Sequence, residues 1–140
     1  MKVLVASEHA GYELKQKLIS HLQTRIFEAH GFGAESTEPI DYPPIAADAA
    51  AIVAEGQYEF GIVICGTGLG VSIAAGKVPG IRAALCLNEY MAIMAREHND
   101  ANILALGSRV IGENLAYSIV DAFFAKQLIE FNLRREGPIV

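Results

Sequence analysis

Three short stretches concentrate the residue types that can move protons or hold an anion. The first, Cys65-Gly66-Thr67-Gly68-Leu69-Gly70-Val71-Ser72, sets alternating glycines directly after an apolar run. Glycines there let the backbone turn sharply and approach a ligand with its N–H groups pointing outward. Such a nest suits a phosphate or a developing oxyanion. Cys65 opens the turn, and a thiol beside a helix start is favoured as the thiolate, a form able to take a proton from carbon. The second stretch, His98-Asn99-Asp100, supplies an imidazole that can pass a proton either way near neutral pH. The third, Ser7-Glu8-His9, closes the first apolar run with a carboxylate and another imidazole. A base, a proton donor and an oxyanion nest around a small polyol are the equipment for proton abstraction next to a carbonyl.

Each stretch also has an ordinary reading. Glycine turns after strands are common, a cysteine at a strand end is often a small buried hydrophobe, and a histidine at a helix end is an ordinary C-cap. The glycine spacing is not the G-x-G-x-x-G fingerprint, and the turn follows the third strand instead of the first, which disfavours a dinucleotide site. His21 and His30 have no supporting context and are given no role.

The elements that must position these residues alternate in period. Lys2 to Ala6 reads as a buried strand, an unbroken run of β-branched and aliphatic residues. From Gly11 the period becomes helical: Leu14, Leu18, Ile19 and Leu22 share a face, with Lys15, Lys17 and Gln23 outside it. A weak strand signal covers Arg25 to Ala29, and Gly31 to Pro44 reads as a long irregular loop. A helix from Ala46 to Glu55 stops at Gly56. Phe60 to Cys65 is the clearest strand, and Val71 to Lys77 a helix closed by Pro79-Gly80. Ile81 to Leu85 is a strand, followed by a helix capped by Asn88 and running through Arg96. Asn102 to Leu106 gives a fifth strand, and a helix from Gly112 to Phe124 continues toward the C-terminus.

Strands alternating with helices predict an α/β fold: a Rossmann-like three-layer sandwich whose five-stranded parallel sheet carries helices on both faces. Ligands bind such sheets beyond the carboxyl ends of the strands. That rule gathers Ser7-Glu8-His9, Cys65 to Gly70 and Gly107 to Arg109 at one edge.

Composition narrows the class. The chain has 140 residues, 52% hydrophobic and 19% charged, which is enough apolar residue for one well-filled domain over 1–140. A net charge of -5 and the lack of any Lys/Arg run exclude a polyanion groove, so no nucleic-acid partner is expected. No stretch approaches the roughly 18 apolar residues of a membrane span. Cys65 and Cys86 fit no zinc or redox spacing, so no metal is expected, and a cytoplasmic protein with reduced thiols is the economical reading.

At this point four motifs become familiar together. Val5-Ala6-Ser7-Glu8-His9-Ala10-Gly11 resembles the S-D-H-A-G motif of type B ribose-5-phosphate isomerases, and Asp41-Tyr42-Pro43 matches their D-Y-P. Cys65-Gly66-Thr67-Gly68 through Ala75 is similar to their I-C-G-T-G-x-G-x-S-I-A-A stretch. Arg96-Glu97-His98-Asn99-Asp100-Ala101-Asn102 resembles R-E-H-N-D-x-N, with Leu106-Gly107-Ser108-Arg109 in register.

The resemblance implies interconversion of ribose 5-phosphate and ribulose 5-phosphate through an ene-diolate, without metal or organic cofactor. It makes Cys65 the base, Thr67 and the backbone of Gly66, Gly68 and Gly70 the holders of the ene-diolate oxygens, and His98 the group that assists ring opening. Glu8, His9, Tyr42 and Asn99 would contact the sugar, and Arg109 the phosphate. It further implies a homodimer, or a dimer of dimers, with sites shared between subunits.

Two departures stand out. Glu8 replaces the usual Asp. From about residue 126 the C-terminal segment lacks the family's G-G-R-H and following Arg, leaving Arg134 or Arg135 as substitute phosphate ligands. Rival readings are an isomerase of allose 6-phosphate, galactose 6-phosphate or an unphosphorylated sugar, and, from another class, a non-catalytic sugar- or nucleotide-binding domain.

Overall fold

The computed structural model describes residues 1–25, 27–39 and 44–136, for the last two of these the backbone only. Its strands are β1 (Lys2–Ser7), β2 (Glu28–Gly33), β3 (Phe60–Cys65), β4 (Ala83–Leu85) and β5 (Ile103–Gly107). Its helices are α1 (Tyr12–Gln23), α2 (Ile45–Ala54), α3 (Leu69–Gly76), α4 (Glu89–Glu97), α5 (Glu113–Phe123) and α6 (Ala125–Glu136), and a single 3₁₀ turn spans His9–Gly11. All strand pairs are parallel, in the order β2-β1-β3-β5-β4. The predicted three-layer α/β architecture is the observed one.

Strand alternation divides the core in two. Val3, Val5, Ile62, Ile64, Leu104 and Leu106 face α1, α4 and α5. Leu4, Ala6, Val63, Cys65, Ile103 and Ala105 face α2 and α3. A strand buried on both faces needs apolar residues at every position, which is why β3 reads as a continuous run. The chain leaves β1 toward β2 on one side and reaches β3 on the other. The topological switch therefore lies between β1 and β3, and a ligand crevice opens at their carboxyl ends.

Two elements and one side chain depart most from the sequence reading. The second strand lies at Glu28–Gly33, not Arg25 to Ala29, and takes the first residues of the expected loop. Gly31 and Gly33 disguise it; pairing with β1, from Lys2↔Glu28 to Ser7↔Gly33, and burial of Ala29 define it instead. The last helix breaks at Phe124. Phe123 and Phe124 are adjacent and both buried against Phe60, with Phe27 packed on Phe124. The backbone of Phe124, at φ -101° and ψ 13°, leaves helical geometry there, and both rings turn into the core. Lys15, placed outside the α1 core face by periodicity, is buried at 4% exposure, whereas Lys17 and Gln23 are exposed as expected.

The Asn88 cap is in place, its Oδ1 accepting the Met91 N–H at 2.9 Å. Among the described residues no helix is long and apolar enough to cross a membrane.

Candidate active site

The carboxyl ends of β1, β3 and β5 are tied into one rigid edge. Glu8 N–H donates to Ile64 O at 3.2 Å, Ser108 N–H to Cys65 O at 2.9 Å, and Arg109 N–H to Gly66 O at 2.9 Å. The Ser108 hydroxyl reaches the 3₁₀ turn after β1, donating to Ala10 O at 2.8 Å with Cys65 O at 3.3 Å. Ser108 is thus a structural link that the sequence reading passed over, although Leu106-Gly107-Ser108-Arg109 had been singled out.

Cys65 ends β3 with its side chain on the α2/α3 face, 7% exposed. Its sulfur accepts the Gly68 N–H at 3.2 Å, at the N-terminus of α3. That bond fixes the sulfur against the first turn of α3. The glycine turn is shaped by two tight approaches. Gly68 has φ +82°, and a Cβ there would lie 2.5 Å from Leu85 Cδ1. Gly107 faces the turn from β5, where a Cβ would stand 2.4 Å from Thr67 O.

Thr67 is exposed at the crest, its Oγ1 accepting the Leu69 N–H at 3.2 Å. By the geometry of a helix start, the Gly70 and Val71 amides also lack a helical carbonyl, and nothing lies within 4 Å of a Cβ built on Gly70. Unpaired amides at an exposed helix start are what an oxyanion needs. Arg109 crosses Gly66, its Nη1 lying 3.5 Å from where a Cβ would be. The guanidinium thus lies over the turn.

Replacing Gly107 by alanine should therefore push the Thr67 backbone out of place. We expect destabilisation of about 1–3 kcal/mol, as for overpacking, with loss of activity beyond what the residual folded fraction explains. Urea unfolding monitored alongside turnover checks this.

The remaining sequence-predicted residues are not all here. Glu8 and His9 lie at the carboxyl end of β1, Glu8 exposed and His9 half-buried in the 3₁₀ turn. Tyr42, with Asp41 and Pro43, lies outside the described residues, as does the Arg135 side chain. His98 and Asn99 are exposed at the end of α4, just before β5 begins. Because β5 runs parallel to β3, with Ile103 opposite Gly61 and Gly107 opposite Cys65, they sit at the amino edge. Four strand residues, roughly 13 Å, separate that edge from Cys65.

Other residues of the same motif build this turn. Arg96 stacks on Phe60 and Phe123 and donates to Phe123 O and Gln127 Oε1. Asn102 accepts from Arg82 N–H and donates to Gly80 O. Asp100 adopts φ 49°, which turns the chain into β5. Arg134 is likewise at the amino edge, exposed on α6 beside a cavity of about 60 Å³ lined with Met1, Arg25 and Phe27. Within one chain the structure thus gathers Glu8, His9, Cys65, Gly66, Thr67, Gly68, Gly70 and Arg109, and separates His98, Asn99 and Arg134 from them.

Of the two thiols, Cys65 is the one bonded to the glycine turn. Cys86 is sealed in the core, where burial pushes its pKa to about 11.

Known proteins share this fold. The Ribose/Galactose Isomerase family model matches residues 3–137. The chain belongs to the ribose/galactose isomerase family. It is 47% identical over 126 residues to ribose-5-phosphate isomerase B of Escherichia coli K12, spanning 90% of this chain and 85% of that protein. The solved structure of Clostridium thermocellum ribose-5-phosphate isomerase B superposes with a TM-score of 0.85 at 48% identity, covering 97% of this chain and 98% of that one. Trypanosoma brucei type B ribose 5-phosphate isomerase gives a TM-score of 0.83 at 38% identity, covering 92% and 95%. Membership in this family makes a sugar phosphate the ligand class to test at the carboxyl edge.

Proposed function

We propose that the protein is an aldose–ketose isomerase that interconverts ribose 5-phosphate and ribulose 5-phosphate through an ene-diolate. The observation that carries this reading is the Cys65 sulfur at the start of α3, bonded to the Gly68 amide and bordered by open space before Gly70. The Cys65 thiolate takes the proton from C2 of the open-chain aldose. The electron pair forms a C1–C2 double bond, and negative charge moves to O1, where the amides of the glycine turn receive it. The Cys65 thiol returns its proton to C1, and a proton passes from O2 to O1. Thr67 lies at the crest to bind an ene-diolate oxygen. Glu8 and His9 hold the sugar from β1, and Arg109 receives the phosphate.

Ring opening must precede this chemistry, because the furanose has no free carbonyl. His98 suits that step but faces away from the Cys65 of its own chain. A second copy of this chain, with its sheet inverted by a two-fold axis, brings its own His98, Asn99 and Arg134 to the site. The surface around the carboxyl edge supports such a partner: Leu69, Ile73, Leu87, Tyr90 and Val110 are exposed there, Tyr90 at 69%. In this reading the protein is a homodimer, or a dimer of dimers, that works without cofactor. Both cysteines are free thiols, which suits a reducing cytoplasmic setting.

The test is turnover with ribose 5-phosphate, allose 6-phosphate and galactose 6-phosphate in D₂O. Ribose 5-phosphate should turn over fastest, with solvent deuterium appearing at the transferred carbon position. Binding without any C2 exchange would leave a binding protein and sink the isomerase reading. Preference for a hexose phosphate would move the substrate within the family.

A further inference from the structure

Among the described residues two polar side chains are buried, Ser7 at 1% exposure and Lys15 at 4%. Lys15 leaves α1 toward the sheet, and its ammonium donates to Phe32 O at 3.2 Å and to Ala34 O. Burial pulls its pKa below the ordinary lysine value, with Glu35 acting in the opposite sense. The Ser7 hydroxyl has no hydrogen-bond partner among the described residues.

The two carbonyls have a definite place in the sheet. β1 and β2 pair up to Ser7↔Gly33, and the ladder runs one rung further, with Ala34 N–H donating to Ser7 O at 2.8 Å. In a continuing parallel ladder, the next donor to Ala34 O would be the amide of residue 9. By then β1 has left the sheet. Glu8 N–H turns to Ile64 O, and Gly11 N–H closes the 3₁₀ turn on Glu8 O at 3.0 Å. The Lys15 ammonium stands in for the missing rung. There is little slack here, since a Cβ on Gly33 would lie 2.5 Å from Ser7 O.

We infer that Lys15 is a positioning residue for the Glu8–His9 turn: its ammonium takes over the end of β2 and fixes the point at which the turn leaves the ladder. The inference rests on the proposed sugar-binding role of Glu8 and His9. In this role Lys15 acts through the turn, not on the substrate.

The test is steady-state kinetics of Lys15→Met and Lys15→Arg with ribose 5-phosphate, after the wild type. Glu8 and His9 grip the sugar alike in ground and transition states, while Cys65 stands on β3. Lys15→Met should therefore raise KM about tenfold with kcat within about threefold of wild type. Lys15→Arg, which keeps a cation at the carbonyls, should recover most of that loss. Combining Lys15→Met with Glu8→Ala should raise KM by less than the product of the single effects, because both act through one turn.

A folded Lys15→Met variant with KM within about twofold of wild type overturns the inference, as does full multiplicativity in the double variant. Should Lys15→Met fail to fold, wild-type protein labelled with ¹⁵N-lysine decides. The Lys15 ammonium resonance should shift on saturation with ribulose 5-phosphate, and an unmoved resonance overturns the proposal. A wild type that does not isomerise ribose 5-phosphate overturns the functional reading first. An active wild type with an indifferent Lys15→Met overturns the positioning role alone.

Discussion

Replacing Cys65 by serine is expected to lower kcat at least about 10²-fold, the lower range for loss of a positioned general base, while sugar-phosphate binding survives. A hydroxyl is a far weaker base than a thiolate, so the C2 proton loses its acceptor. The rest of the site does not depend on the sulfur. Gly68 is held at φ +82° by the close packing of Leu85 and Leu106, and Thr67 by its approach to Gly107. The turn is also anchored from β5, through Ser108 N–H on Cys65 O and Arg109 N–H on Gly66 O, bonds that a serine backbone makes equally well. Arg109 and the glycine amides therefore remain to hold the phosphate and the sugar oxygens. The measurement is kcat together with calorimetric affinity for ribulose 5-phosphate. A serine variant with near-normal kcat would remove Cys65 from the base role, and one that neither binds nor turns over would make the sulfur a structural element of the turn.

The parts of this site that were legible in the sequence are those fixed by local rules. β3 is buried on both faces and so shows as an uninterrupted run from Phe60 to Cys65. The glycines after it mark a turn that only small residues allow, and parallel topology then places that turn at the carboxyl edge. Lys15 was not legible, because helical periodicity registers only apolar burial. A lysine at the margin of the Leu14–Leu18–Leu22 face reads as solvated, and its carbonyl partners lie 17 and 19 positions further along the chain. β2 was displaced in the reading because Gly31 and Gly33 carry loop propensity, and the pairing with β1 that overrides it is non-local. The position of His98 is fixed by the same topology. A residue immediately before a parallel strand must sit at the amino edge, opposite the end where Cys65 stands.

That opposition leads to the most demanding expected result: two variants that are each nearly inactive should regain activity when their subunits are exchanged. His98→Asn removes the proton shuttle for ring opening, a loss of about 10²–10⁴-fold for a general acid–base group, and Cys65→Ser removes the base. Within one chain, roughly 13 Å of strand divides the amino edge from the carboxyl edge, so no single subunit can use both residues at once. If a two-fold partner supplies His98, a hybrid dimer of the two variants contains one site with Cys65 from the His98→Asn subunit and His98 from the Cys65→Ser subunit. Its other site lacks both. Random reassortment of an equal mixture makes half the dimers hybrids, each with one of two sites intact, so activity should return to about one quarter of wild type. The measurement is turnover of ribose 5-phosphate after partial unfolding and refolding of the mixture, with each variant treated alone as control. Activity no greater than the sum of the controls, in a mixture that mass spectrometry proves to contain hybrids, would place His98 outside the partner's site. Ring opening would then need another proton shuttle, and His9, already at the carboxyl edge beside the glycine turn, is the imidazole the fold offers.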